Sequence, residues 1–368
     1  MKDLYKIIFL MILCLCVIFP AGGVYADSFK IASYNVENLF DLSRDLTEYD
    51  DYVPYGPSGW NLSVMDVKLG NIARVLKDLD ADILSLQEVE SGKALALLQQ
   101  RLHLAGADYP FLAIADDRAT SVKCAVLSRY PIISTGEVGV GHGQERNILK
   151  VTFDIDGERL ILYANHWKSK TGPESRRMPY ARALAEDIAK LKSGVDYVLT
   201  GDFNSDYNEY DTFKNNDRLN DTHGITGINH ILKTMVDGRP VDESVLIARQ
   251  KGRYLYNLWM ELPETRRWST DFSGRENTPD AILVPASLYD ANGVNYVDNS
   301  FDRFDPDYLF EKKRIYRWQR AGRGRGPHLG KGFSDHLPVF AEFTTQPFQF
   351  ETGRGISRPS GKIRTIAD

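Results

Sequence analysis

Five short segments of this chain end apolar runs with side chains that can bind a cation, carry a proton or grip an oxyanion. They are Ser33-Tyr34-Asn35-Val36-Glu37-Asn38, Gln87-Glu88-Val89, Asn165-His166-Trp167-Lys168-Ser169, Gly201-Asp202-Phe203-Asn204 and Ser334-Asp335-His336-Leu337-Pro338. A sixth, Pro279-Asp280-Ala281-Ile282-Leu283-Val284, puts an acid at the start of such a run. Strand ends can offer polar groups to a ligand without losing ladder hydrogen bonds. Asp202 and Asn204, an acid and an amide two residues apart, suit a site that activates a water and holds it in line with a phosphorus or a carbonyl. Each segment alone has a plainer reading. Asp202 and Asn204 favour turns, Asn35 caps one, Glu88 is a solvated strand end, His166 is a satisfied structural histidine, and Asp335 to Pro338 is a turn into a strand.

Short β-like runs alternating with amphipathic helices must position these groups, which argues an α/β layered fold. Strands are expected at Phe29–Tyr34, Asp82–Val89, Val122–Ser128, Ile148–Ile155, Arg159–Ala164, Val195–Thr200, Ala281–Val284 and Leu337–Phe343. Val67, Ile72, Val75, Leu76 and Leu79 lie near helical spacing within Val64–Leu79. Ser91 reads as the N-cap of a helix running to about Leu102, and Ser175–Lys192 as another long helix. Asp41–Asn61 is expected to be a long surface loop, and Asp206–Pro279 a small helical insert that shapes a binding groove. There is no internal repeat.

The 368 residues suffice for one large domain or two small ones. Residues 1–26 read as a secretory signal peptide: Lys2 and Lys6, the apolar run Ile7–Phe19, then Val24-Tyr25-Ala26 before the cut. The expectation is a secreted or periplasmic protein with no stable membrane anchor after cleavage. A domain then spans 27–345, followed by a poorly ordered tail over 346–368. Only Cys124 would remain, so the exported chain must be held by its core without an internal disulfide, with Cys124 buried inside it. The net charge of −5 gives no general support for polyanion binding. The stretch Lys312–Lys331 is the exception, with Lys312, Lys313, Arg314, Arg317, Arg320, Arg323, Arg325 and Lys331 and no acid. Such a run is either a solvated loop or a phosphate-backbone contact.

In this order the motifs resemble the endonuclease/exonuclease/phosphatase superfamily, over about Phe29–Phe343. Gly-Asp-Phe-Asn with Ser-Asp-His-Leu-Pro is a specific combination; Gln-Glu-Val alone is weak. Tyr34-Asn35-Val36-Glu37-Asn38-Leu39-Phe40 looks like the version in exported bacterial members. The resemblance implies the deoxyribonuclease-I-like fold, an α/β (α+β) four-layer α/β/β/α sandwich, and metal-assisted in-line attack of water on a phosphoester. It implies Glu88 as the carboxylate that holds Mg²⁺, with Asn35 beside it and Asp335 close to the same ion; Mn²⁺ or Ca²⁺ are the alternatives. Asp202 would orient and deprotonate the water, with Asn204 fixing its geometry. His336 would meet the phosphoryl oxygens while Asp280 holds its ring, and His166 would contact non-bridging oxygens or help the leaving group. Family members that use a histidine like His166 often pair it with a carboxylate; here Asp116 and Asp117 are the candidates. Arg146 is a candidate phosphate contact or a surface arginine.

The fold serves several substrates, so local features must choose among them. Repair-type nucleases of the superfamily usually read Trp-Asn-x-x-Gly where this chain reads Tyr34-Asn35-Val36-Glu37-Asn38. Inositol phosphatases carry Gly-Asp-Leu-Asn-Tyr-Arg and Pro-x-Trp-x-Asp-Arg; Gly201-Asp202-Phe203-Asn204-Ser205 and Pro279-Asp280-Ala281 disfavour that class. A sphingomyelin hydrolase would want an exposed apolar hairpin. No such aromatic hairpin is visible, although the Tyr254–Trp268 region keeps the class open. The basic run interleaves Tyr316 and Trp318 with arginines, a mixture that holds phosphates and stacks bases. The expectation is therefore a secreted, monomeric, Mg²⁺-dependent nuclease with nucleic acid as its partner. Arg146, Arg320, Arg323 and Arg325 are the substrate contacts. A phospholipid, sphingomyelin or small phosphoester hydrolase is the alternative. A non-catalytic binding protein on the same fold is disfavoured by the intact residue set.

Overall fold

Two mixed β-sheets pack face to face in the computed structural model, which describes residues 28–141, 145–249, 252–272 and 274–350. The first holds β1 (Phe29–Leu39), β2 (Ile83–Val89), β3 (Phe111–Ile114) and β4 (Lys123–Ser128). Its order is Asn295–Tyr296, Val339–Thr344, β1, β2, β4, β3, with Asp302–Arg303 also on Val339–Thr344. The second holds β5 (Ile132–Val138), β6 (Ile148–Ile155), β7 (Glu158–His166) and β8 (Tyr197–Asp202). Its order is Leu255–Asn257, Asp280–Pro285, β8, β7, β6, β5.

Each sheet has one parallel pair at its centre, β1 with β2 and β7 with β8. A parallel pair needs a crossover, and a helix supplies each: α1 (Leu62–Leu79) and α3 (Met178–Ala189), with α2 (Gly92–Leu104) following β2. Residue alternation assigns the faces. Phe29, Ile31, Ile83, Cys124 and Val126 enter the core that includes the second sheet and α3. Their neighbours Ala32, Tyr34, Leu84, Leu86, Ala125 and Leu127 enter the core under α1 and α2. The result is the expected four-layer α/β/β/α arrangement. Cys124 lies fully buried in it, and burial pushes its thiol up to about 12.

Local chemistry sets the helix ends. The Asn61 side chain accepts from Val64 N–H at 3.2 Å to open α1, and Ser91 Oγ accepts from Ala94 N–H at 2.9 Å to open α2. The expected helix over Ser175–Lys192 is shorter, because Glu174–Arg176 forms a 3₁₀ turn and Pro179 enters at the first turn of α3. Within α1, Val67 is exposed and Lys68 is buried instead.

Asp206–Pro279 corrects the expected helical insert. It contains only short helical turns, contributes the edge strand Leu255–Asn257, and closes with a hairpin of Thr270–Phe272 on Arg275–Asn277. The chain beyond 345 is in part tied down: Phe348 N–H donates to Asp290 O at 2.8 Å, and its ring lies 4.5 Å from Tyr289. The expected signal peptide and the rest of the tail, 351–368, lie outside the described residues.

Candidate active site

The parallel pairs end on the same side of the molecule, and the candidate residues gather at those ends. Asn35 pairs with Gln87 in register, after which the β1–β2 ladder breaks before Leu39 meets Val89. At the break Glu37, Asn38 and Glu88 take left-handed backbone, with φ of 50°, 63° and 65°. Non-glycine residues held in this region are strained, and the break turns polar side chains out of the pleat. On the second sheet His166 is in register with Asp202, and Asp202 with Asp280. Gly201 is obligatory here: its φ is +134°, and a Cβ on it would lie 2.0 Å from the Asn165 carbonyl oxygen.

Asn35 ties the two sheets together. Its Nδ2 donates to Glu88 Oε1 and to Asp202 Oδ2, each at 3.1 Å. The backbone N–H of Asn204 donates to Asp202 Oδ1 at 2.8 Å, so both oxygens of Asp202 are oriented. Asn204, itself at φ 47°, donates from Nδ2 to Trp167 O at 3.1 Å. Burial pushes Asp202 up to about 6, against the pull of nearby His336.

The two histidines have opposite electrostatics. His336 Nδ1 lies 2.7 Å from Asp280 Oδ2, which also accepts from Ser269 Oγ at 2.6 Å. Burial disfavours charge on His336, but Asp280, Asp202 and Asp335 outweigh it and hold its pKa well above the usual value. Its Nε2 is left 4.0 Å from Asp202 Oδ2 and 3.9 Å from Asp335 Oδ1. His166 Nε2 sits 3.7 Å from both Glu88 Oε1 and Asp202 Oδ2. Burial, with Arg146 and His336 adding repulsion, lowers its pKa well below the usual value. One imidazole is therefore charged and the other neutral at neutral pH.

The expected carboxylate behind His166 is neither candidate. Asp116 pairs with Lys123 at 3.1 Å, the backbone of Asp117 is held by Glu137, and His166 Nδ1 is buried with no hydrogen-bond partner among the described residues. Arg146 lies at the site, where Nε and Nη2 donate to the carbonyls of His166 and Trp167 at 3.2 and 2.9 Å.

Three residues given no role from the sequence complete the site: Glu37, Lys68 and Arg317. Arg317 pairs with Glu37 and reaches Asp335 Oδ2 at 3.2 Å. Trp318 N–H donates to Glu37 Oε2 at 3.0 Å, and Lys68 Nζ donates to Phe333 O at 2.9 Å. Burial, with Asp335 adding repulsion, pushes Glu37 up to about 7, and burial pulls Lys68 down to about 8. Glu37 stands two residues past Asn35 in the same motif, which is the one sequence signal that marks it.

The basic run divides in two. Lys312, Lys313, Arg325 and Lys331 are exposed; the Arg323 side chain lies outside the described residues. Arg320 is instead an anchor, ion-paired to Asp51 with Nε donating to Gly326 O at 3.0 Å. Trp318 is also not available to stack on a base, being buried with its Nε1 donating to His328 Nδ1 at 2.9 Å, and Tyr316 packs against Phe333. One exposed aromatic near the site is Phe272, 72% exposed on a strand whose Thr270 bridges to His336.

The donor set fits a divalent cation. Glu88 is raised by burial and by repulsion from Asp335, and Glu37 feels Asp335 in the same way. Hard oxygen ligands crowded against their own repulsion are what such an ion relieves. Asp202, Asp280 and His336 also place ligand atoms within 4.8 Å of one another. There the His336–Asp280 hydrogen bond already occupies the inner ring nitrogen.

Comparison with known proteins shows the family and the fold. A model described as "Endonuclease/Exonuclease/phosphatase family" matches residues 30–345. No curated protein matches by sequence. Among solved structures, humanized D. rerio TDP2 is similar with 14% identity and a TM-score of 0.53, over 87% of this chain and 100% of that one. D. rerio TDP2 complexed with single strand DNA product has 15% identity and a TM-score of 0.51, over 86% and 99%. TDP2 from C. elegans has 14% identity and a TM-score of 0.50, over 86% and 75%.

Proposed function

The chain belongs to the endonuclease/exonuclease/phosphatase family and is a metal-dependent hydrolase of phosphoester bonds; within that class we propose a secreted nuclease that cleaves DNA, and RNA where it meets it, with little sequence specificity. The observation that carries the hydrolytic reading is the chain of contacts Glu88–Asn35–Asp202, with His336 and its Asp280 partner facing the same Asp202 oxygen.

Asp202 is the base. With Oδ1 held by the Asn204 backbone and Oδ2 by Asn35, its carboxylate is fixed in orientation, ionised at neutral pH, and raised enough to take a proton from water. His336, kept charged by Asp280, directs Nε2–H at the phosphoryl oxygens as negative charge grows there. Neutral His166 supplies a second hydrogen bond to the same phosphoryl group from the Glu88 side. Glu88, Asn35 and Asp335 would hold the divalent ion, for which we propose Mg²⁺. Once bound it supplies Lewis-acid polarisation of a phosphoryl oxygen and charge neutralisation. Arg317, half-exposed beside Asp335, adds a cation at the edge of that group.

The nucleic-acid assignment rests on the flank of the site. Lys312, Lys313, Arg325 and Lys331 are exposed on the segment that runs into Ser334-Asp335-His336, and they suit a phosphate backbone. Phe272, on the hairpin that bridges to His336, offers an aromatic face to a base, in the place expected of Tyr316 and Trp318. Export is proposed from Lys2, Lys6 and the run Ile7–Phe19. Hydrolysis of plasmid DNA, RNA and sphingomyelin by the purified protein, with Mg²⁺ and with EDTA, decides the substrate. Cleavage of nucleic acid in Mg²⁺ alone is expected. Sphingomyelin cleavage without nucleic-acid cleavage would overturn the nuclease assignment and leave the phosphodiesterase chemistry standing.

A further inference from the structure

Outside this site, a second group of carboxylates lies where the loop that follows β1 meets the end of β2. Asp45, Glu48 and Glu90 place carboxylate oxygens within 4.8 Å of one another. Glu90 is 1% exposed. Its Oε2 accepts from the Asp41 N–H at 2.7 Å, while its Oε1 is buried with no hydrogen-bond partner among the described residues. A buried carboxylate oxygen with no donor is costly, and it is tolerated where a ligand supplies the missing positive charge.

The neighbouring lysines do not supply it. Lys123 Nζ donates to the Glu90 backbone carbonyl at 2.7 Å and pairs with Asp116, and Lys93 Nζ donates to Ser43 Oγ at 2.7 Å. Glu48 Oε1 accepts from Asp45 N–H at 2.8 Å, which gathers the two loop acids over Glu90.

We propose that Asp45, Glu48 and Glu90 form a second divalent-cation site, of the Ca²⁺ class, that fixes the loop on the rim of the active site. One buried and two more accessible carboxylates on an irregular loop suit Ca²⁺, which accepts six to eight oxygens in adaptable geometry. Mg²⁺ demands a near-ideal octahedron. The loop matters to the catalytic end of the molecule because of what it carries next. Tyr49, 40% exposed, packs at a tilt against Phe40 with ring centroids 5.5 Å apart, and its hydroxyl feels the charges of Glu88 and Arg146. Tyr52 follows, 4.5 Å from Phe40 and 4.9 Å from Trp60, and Asp51 holds Arg320. A cation at the start of the loop therefore orders a wall of the substrate cleft.

Thermal melts of the whole chain with and without Ca²⁺ test this, in wild type, in Glu88→Gln and in the double variant Asp45→Asn/Glu48→Gln. Binding to the folded state alone raises the melting temperature. A rise is expected in wild type and in Glu88→Gln, and its loss is expected in the double variant. Asp45 is exposed and Glu48 half-buried, so the double variant should melt as wild type does without Ca²⁺. A Ca²⁺-dependent rise that survives in the double variant, or none in wild type, overturns the site. An equal rise with Mg²⁺, abolished by the same variant, overturns the Ca²⁺ assignment. No phosphoester is cleaved in these melts, so their failure leaves the nuclease reading untouched.

Discussion

At the scale of single residues, the proposed hydrolysis turns on which proton each side chain holds. Asp202→Asn should lower kcat by about 10²- to 10⁴-fold, since it removes the base; its amide oxygen can still accept from the Asn204 N–H, while its NH₂ group cannot accept from Asn35 Nδ2. Asp280→Asn acts through His336 and should cost about 10- to 100-fold. Its mark is a lowered imidazole pKa of His336 by NMR; an unchanged pKa would contradict the pairing. Asn35, Glu88, His166, Asp202, Asp280, Asp335 and His336 were legible in the sequence because each ends or opens an apolar run. Lys68 was not. A lysine one place from an apolar helical stripe reads as solvated, and only the fold shows it inside, capped by a carbonyl contributed 265 positions away. Glu37 and Arg317 are separated by 280 positions, and no local pattern announces such a pair.

At the scale of elements, the site is made by strand ends that cannot be ordinary. Gly201→Ala would drive a Cβ into the Asn165 carbonyl at a φ that side chains avoid, so it should destabilise the protein by about 3 kcal/mol in denaturant melts. A neutral result would mean that the β7–β8 pairing is looser than described. The start of β8 carries a pH-dependent contact. Asp196 Oδ2 accepts from Val294 N–H at 2.9 Å, and burial, with Asp290 and Glu158 adding repulsion, pushes its carboxyl up to about 7. The unfolded chain ionises near the ordinary carboxylate value of about 4. Between those values the folded state holds the extra proton, so this group's contribution to stability falls as pH rises through that window. Asp196→Asn should therefore raise the melting temperature at pH 8 and do so less at pH 4; a gain confined to pH 4 would contradict the sign. The main strands were readable within a few residues because they are near-continuous apolar runs buried on both faces, and α1 and α2 because each buries one periodic face. β5 was not, since its pattern is largely exposed, and the three-residue strand Leu255–Asn257 is too short to show a period.

At the scale of the whole molecule, a chain of net charge −5 must meet a polyanion through a local field. In the proposed nuclease the exposed Lys312, Lys313 and Arg325 would supply that field, whereas Arg320 is an internal tie between Asp51 and Gly326. Neutralising the first three should flatten the dependence of log K on log salt by ~0.9 for each phosphate that no longer meets a cation. Arg320→Ala should lower the melting temperature and leave that slope alone; an altered slope would return Arg320 to the substrate. The fold class was open to the sequence because both halves repeat the same strand–helix–strand logic around a parallel pair. The substrate flank was not, because exposed and anchoring arginines look alike until the loop they hold is in place. The most direct test of the central claim is the rate of plasmid DNA hydrolysis in Mg²⁺ by wild type and Asp202→Asn side by side. Cleavage by wild type in Mg²⁺, abolished by EDTA and reduced at least about 100-fold in the variant, is expected; equal rates for the two proteins would rule out Asp202 as the base.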